Sequence, residues 1–197
     1  STMALGCKDW IVLNLTGVAA TEESDASFPF FDIRTRQYAP ALLKLYNIEW
    51  AQRLLPPVNH GTTPIGTLRD SVARTVGLRA GIPVIAAPYD IAATAIGLGA
   101  ILPGQAVSIL GTTLCNEIVI DSVDTSGTPV GLLVCSGLPK RWLRGFATMC
   151  GTEAVGWLCN FIGHVEPAEI TEMAHEARPG AGGITFLPYL SPAGERA

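Results

Sequence analysis

Two short stretches of this sequence hold residue types that can do chemistry. In GIPVIAAPYD, residues 81–90, an otherwise apolar run ends on a carboxylate. Asp90 can accept hydrogen bonds from the free N–H groups of a following helix as its N-cap. It can also act as a general base at the carboxyl end of a strand, where open α/β sheets place their ligands. The two roles are compatible. Further on, VSILGTTLCNEIVI (107–120) sets Gly111, Thr112 and Thr113 between two apolar runs. A plain hairpin prefers Asn-Gly or Asp-Gly at such a point. Gly-Thr-Thr is either a tight turn followed by β-branched residues or a phosphate cradle, in which glycine admits close approach and hydroxyls and N–H groups donate to phosphoryl oxygens. In CGTEAVGWLCNFIG (150–163) a helix is expected to begin at Gly151-Thr152-Glu153. Thr152 either caps it or stands where the helix N-terminus meets an anion.

Elements must hold these positions. CKDWIVLNLTG (7–17) reads as a helix closed by Gly17, with Trp10, Ile11, Leu13 and Leu15 giving it more than one buried face. Residues 18–38 read as irregular. There Ser24, Asp25 and Ser27 are turn-formers, satisfying their own backbone, or the wall of a site. Residues 39–48, with Pro40 near the start, and 66–78 read as helices, the latter with Leu68, Val72, Ala73 and Val76 on one face. Residues 81–90 read as a strand in which Pro83 suits only a start or an edge. A small-residue helix, strands over 106–110 and 114–120, a polar turn and a third strand over 131–138 follow. PKRWLR (139–144) reads as a solvated strand end. Two helices, one ending at Gly163 and one over 166–180, precede a short strand, ITFLPYL (184–190). This order suits an α/β chain cut across two domains, with the boundary at Pro103-Gly104. The chain opens inside an apparent helix and stops after a loop, so it is expected to be a fragment of a longer protein.

Composition narrows the function classes. With 197 residues and 48% hydrophobic content, the chain can build one sizeable core or two small ones. A net charge of −4 leaves no electrostatic footprint for nucleic acid. The five cysteines form no CxxC pair, which argues for a reducing compartment and small-hydrophobe roles. His60, His164 and His175 make no metal-spaced pair, so no metal ligand is expected. The longest apolar stretch, 91–102, is too short to span a bilayer and reads as a buried helix. A cytoplasmic protein without membrane or nucleic-acid partners is expected.

The segments KDWIVLNLTG, ATEESDAS, FDIRTRQY, GLRAGIPVIAAPYDIAATAIGLGAILPGQAVSILGTT, PKRW, GTEAVGWL and FLPYLSPAGER follow one another as in the FGGY carbohydrate kinases. The chain resembles that family over almost its whole length. The resemblance implies an α/β, ribonuclease H-like (actin/hexokinase-type) fold. Residues 1–103 would be the C-terminal part of the first, sugar-binding domain, and residues 104–197 the N-terminal part of the second, nucleotide-binding domain, with sugar and ATP meeting between them. It implies ATP- and Mg²⁺-dependent phosphorylation of a sugar or polyol hydroxyl. Asp90 resembles the family's catalytic base, and Gly111, Thr112 and Thr113 its phosphate turn. Thr152 and Gly156 stand where members approach the nucleotide. The chain departs from the family at Ile91, where Asn or Gln often follows the aspartate, and at Gly156, where a long polar residue is common. The PYD and SPAGER segments lean toward a ketopentose or polyol acceptor. The family's N-terminal phosphate loop and its C-terminal Gly-rich adenosine segment have no counterpart here, so the isolated chain is expected to be inactive. A homodimer could arise through apolar surface at an incomplete domain interface. Two other readings stay open: a non-catalytic phosphate- or sugar-binding module derived from the family, and an α/β domain in which Asp90 only caps and Gly-Thr-Thr only turns.

Overall fold

The computed structural model describes residues 2–128, 130–148, 150–187 and 190, and the backbone of Glu195 and Arg196. Two compact units are present. The first comprises Ser1–Ala106, Ile118–Thr125 and Leu133–Arg144; the second comprises Val107–Glu117, Ser126–Leu132 and Gly145–Ala197.

The first unit opens with α1 (Cys7–Thr16). Gly17 ends it in the left-handed conformation at φ 82°, and its N–H donates to the Leu13 carbonyl at 2.7 Å. That is the stop glycine permits at lowest cost. The helix packs along one stripe only. Asp9 and Val12 are buried while Trp10 and Ile11 are exposed, contrary to the expectation of several buried faces. Positions adjacent in sequence point about 100° apart on a helix, so one contact stripe cannot cover both. Next come β1 (Thr21–Glu22), the single-turn α2 (Glu23–Ala26) and a hairpin of β2 (Phe31–Asp32) with β3 (Gln37–Tyr38). α3 (Pro40–Leu45) leads through a 3₁₀ turn to β4 (Val58–Asn59), which pairs in parallel with β1. β5 (Gly66–Thr67) pairs antiparallel with β6 (Pro83–Val84), and α4 (Asp70–Val76) lies between them in sequence. In α4 Ala73 is buried but Val76 is exposed.

The strand expected over 81–90 is only the two residues of β6. Pro83 starts β6, where its missing N–H is tolerated, and Pro88 has no N–H to extend a ladder, so 85–89 runs as irregular chain into α5 (Asp90–Gly97). A core of this unit forms around Ala26, Phe31 and Cys135, with Ile33, Tyr38, Val58 and Trp142 packed on it. Trp142 of the PKRWLR segment is therefore half-buried. Its indole N–H donates to the Ile33 carbonyl at 2.8 Å, and the Arg36 guanidinium lies 4.9 Å from its ring. Burial pushes the Cys135 thiol up to about 11, whereas Cys7 is exposed. Only the thiolate alkylates. Iodoacetamide mapping at about pH 8, near the ordinary thiol range, should modify Cys7 first and Cys135 last.

The remaining strands are β7 (Ala106–Leu110), β8 (Leu114–Ile120), β9 (Leu132–Cys135), β10 (Trp142–Thr148) and β11 (Glu195–Arg196). They form one sheet in the order β11-β10-β8-β7, with β9 also paired to β10. β8 alternates as a half-buried strand should, with Cys115, Glu117 and Val119 inward and Asn116 and Ile118 outward. β10 was not expected as an element. Leu143 and Gly145 are buried and Arg144 is exposed, but the glycine and the basic residues hide that alternation in the sequence.

The second unit carries α6 (Thr152–Phe161) and α7 (Pro167–Glu176). Residues 184–187, expected to begin a strand, belong to none. Pro188 and Tyr189 of that segment lie outside the described residues, as does SPAG (191–194) of the SPAGER motif. Among the described residues no helix is long and apolar enough to cross a membrane.

Candidate active site

Asp90 is the first residue of α5, not the end of a strand, and Tyr89 occupies the cap position. Irregular chain delivers Asp90 to this point because β6 stops at Val84. Asp90 Oδ1 accepts the N–H of Ile91 at 2.7 Å, and the residue is exposed. It lines a cavity of about 530 Å³ within the first unit, together with Lys8, Asp9, Thr21, Asp25, Tyr38 and Tyr89.

The charged residues of the cavity wall are held by partners. Lys8 pairs with Asp25, and its ammonium also donates to the Ala87 carbonyl. Asp9 is 5% exposed, and its Oδ2 accepts the Gly6 N–H at 3.1 Å. Burial pushes the Asp9 carboxyl above its ordinary range. The Tyr38 hydroxyl donates to the Pro56 carbonyl at 3.0 Å, and burial pushes its pKa up to about 12, so the ring stays neutral. Asp25 thus stands in the wall of a cavity on a one-turn helix, the second of the two roles open to it in the sequence. Lys8 and Asp9 were missed. The signal for them was two charges in the first turn of an otherwise apolar helix.

Behind the wall lie two buried carboxylates in succession. Glu22 Oε2 accepts the N–H of Ser24 at 2.8 Å and the Ser24 hydroxyl, which in turn accepts the N–H of Tyr89 at 2.7 Å. Glu23 pairs with Arg36 and has His60 Nδ1 at 2.9 Å. Burial pushes the Glu22 carboxyl upward, as it does Asp9. Both groups therefore hold protons in the folded state at a pH where the unfolded chain has released them. The folded state binds more protons, so stability falls as pH rises from the ordinary carboxylate range toward the raised values. Glu22→Gln should flatten that decline, measured as urea midpoints from about pH 4 to about pH 7.

In the second unit the backbone brings the Gly-Thr-Thr turn and the start of α6 together. Within the turn the Gly111 N–H donates to the Thr113 carbonyl at 2.9 Å. The Gly151 N–H donates to Thr112 at 3.0 Å and the Thr152 N–H to Gly111 at 2.8 Å, both through carbonyls. Gly151, not Thr152, is the cap, and no side chain caps this helix. The turn carbonyls take over that task, which corrects the capping role expected of Thr152. They can do so only because Gly151 has no side chain: a Cβ there would lie 2.1 Å from the Gly111 oxygen. Gly151 itself was not singled out beforehand. Thr112 and Thr152 are exposed. Gly156, one turn along α6, is also exposed, and an added Cβ would meet nothing within 4 Å. Among the described residues no three His, Cys, Asp or Glu side chains converge as metal ligands.

Residues 2–97 match the family model described as the FGGY family of carbohydrate kinases, N-terminal domain. An erythritol kinase from Brucella abortus is 31% identical over 98% of this chain and 40% of its own length. A xylulose kinase from Escherichia coli K12 is 29% identical over 96% of this chain and 38% of its own. The crystal structure of a xyloylose kinase from Brucella ovis superposes with a TM-score of 0.85 at 28% identity, covering 98% of this chain and 39% of that one. The fold is the ribonuclease H-like, actin/hexokinase-type α/β fold of these sugar kinases, as the resemblance implied. Residues 2–97 carry the N-terminal domain of the FGGY family of carbohydrate kinases, and the likeness to the sugar kinases runs over almost the whole chain. The chain spans about 40% of the length of the curated relatives it matches.

Proposed function

We propose that this chain carries the acceptor side of an ATP-dependent carbohydrate kinase that phosphorylates a hydroxyl of a small polyol or ketose. The observation that carries the reading is the exposed carboxylate of Asp90 on the wall of a cavity whose mainly apolar lining also carries the charged side chains of Lys8, Asp9 and Asp25. Polyhydroxylated ligands are held by charged side chains that accept or donate several hydrogen bonds in fixed directions. Asp90 takes the proton from the acceptor hydroxyl as its oxygen bonds to the γ-phosphorus. The bond from that phosphorus to the bridging oxygen breaks, and ADP leaves. Bound ATP with Mg²⁺ supplies the phosphoryl group and neutralises its charge, so the protein contributes positioning, electrostatics and a base.

Gly111, Thr112 and Thr113 would hold the terminal phosphates, with Thr152 and Gly156 beside them. Gly111 leaves the turn open to close approach, since among the described residues an added Cβ would meet only the Thr113 oxygen, at 3.7 Å. Residues 1–103 then serve the sugar side and residues 104–197 the nucleotide side. No residue of this chain is assigned to the metal. Complete turnover belongs to a longer protein, because the matched relatives extend well beyond this chain. The acceptor class follows the relatives named for erythritol and xylulose. The cytoplasm is the compartment, consistent with free cysteines at Cys7, Cys115, Cys135, Cys150 and Cys159.

The test is ADP release by the whole protein, with ATP alone and with tetritols, pentitols and ketopentoses in turn. At least one acceptor should raise turnover well above the ATP-only rate. Saturable nucleotide binding with no acceptor effect would favour the non-catalytic binding module instead.

A further inference from the structure

Asp90 can serve as a base only if something fixes its height above the cavity, and the strand ladder does not. β6 ends at Val84, and residues 85–89 make no regular structure. Side chains and backbone from elsewhere in the first unit hold this segment instead. Lys8 donates to the Ala87 carbonyl. Pro88 sits against Gly137, where an added Cβ would fall 2.7 Å from Pro88 Cγ. The rings of Phe28 and Tyr89 lie 5.8 Å apart. One anchor directly before Asp90 is the Ser24 hydroxyl, which accepts the Tyr89 N–H at 2.7 Å.

That hydroxyl is oriented. Ser24 has one hydroxyl proton, and Glu22 Oε2 accepts it, which turns an oxygen lone pair toward Tyr89. Glu22 and Ser24 are both 0% exposed, and neither lines the cavity. Burying a carboxyl and a hydroxyl is costly, and an apolar pair would fill the same volume at lower cost. What the polar pair provides is a directed acceptor for the N–H of the residue immediately before Asp90.

We propose that Ser24, oriented by Glu22, is a positioning residue for the Asp90 carboxylate, acting on it through the backbone of Tyr89. This rests on the reading of Asp90 as the base. Removing the hydroxyl leaves the Tyr89 N–H without its acceptor and frees the segment to shift. A misplacement of about 1 Å at a reacting group can lower turnover about 100-fold.

The test is a double-mutant cycle in the whole protein, scored on kcat and on KM for ATP. Ser24→Ala should lower kcat about 10- to 100-fold and leave KM for ATP within about 2-fold. In an Asp90→Asn background the same substitution should have almost no further effect, because the group it positions is gone. Glu22→Gln keeps an acceptor oxygen for the hydroxyl and should retain most of kcat. Unchanged kcat in Ser24→Ala, or an undiminished loss in the Asp90→Asn background, overturns the proposal while leaving Asp90 as the base. Normal turnover in Asp90→Asn alone overturns the base reading itself. If Ser24→Ala does not fold, Tyr89→Pro against Tyr89→Ala asks the same question. Proline fits the Tyr89 φ of −49° but removes the N–H, so it should lower kcat beyond the alanine variant, and equal values overturn the proposal.

Discussion

Asp90→Asn in the whole protein is expected to lower kcat by about 1,000-fold or more, with ATP affinity within about 2-fold of the parent. A positioned general base contributes about 10² to 10⁴ in rate. The substitution is diagnostic because of how Asp90 sits. Its Oδ1 accepts the Ile91 N–H at 2.7 Å, and an asparagine carbonyl can do the same. A purely structural Asp90 would therefore tolerate the change with little loss of stability or turnover. A catalytic one loses its basicity while keeping its shape. Parallel melting curves with near-normal kcat would assign Asp90 to the helix start alone.

Gly151→Ala is expected to damage the second unit severely. The added Cβ would lie 2.1 Å from the Gly111 oxygen, 2.7 Å from the Thr113 carbonyl carbon and 2.8 Å from its oxygen. These are backbone atoms, so no rotamer change relieves the clash. The turn and the helix start must separate, which costs the hydrogen bonds from Gly151 to Thr112 and from Thr152 to Gly111. Overpacking costs about 1–3 kcal/mol and occasionally more, and a clash with fixed backbone belongs at the upper end. Nucleotide affinity should fall with it if the Gly-Thr-Thr turn holds phosphate. Gly156→Ala is the contrast. Its Cβ meets nothing within 4 Å, and the position lies inside α6, so the change should stabilise by about 0.5–1 kcal/mol. Denaturant midpoints of the two variants separate the effects. Equal midpoints would mean that the turn and α6 are not locked together.

Local rules made part of this fold readable. Gly17 marks the end of α1 because a left-handed stop needs a glycine, and the strand–turn–strand over β7 and β8 follows from two β-rich runs around a glycine turn. The wall of the cavity was not readable in the same way. Lys8, Asp9 and Asp25 come from α1 and α2, and only tertiary packing brings them to Asp90. The strand expected over 81–90 is two residues long because Pro88 withholds a ladder donor, which the apolar run before it masks in the sequence. β10 was hidden because Arg144 and Gly145 interrupt its apolar pattern, whereas its strand neighbours supply the missing context. Gly151 illustrates the general limit. A glycine required by close approach looks like any other glycine until the partner backbone is known.

The most direct test of the central claim is ³¹P NMR of the whole protein turning over ATP with its best polyol or ketose acceptor. A phosphomonoester resonance should grow in equal amount to ADP, and it should not form in Asp90→Asn. ADP accompanied only by inorganic phosphate, or no acceptor-dependent product from any polyol or ketose, would contradict the assignment of a carbohydrate kinase.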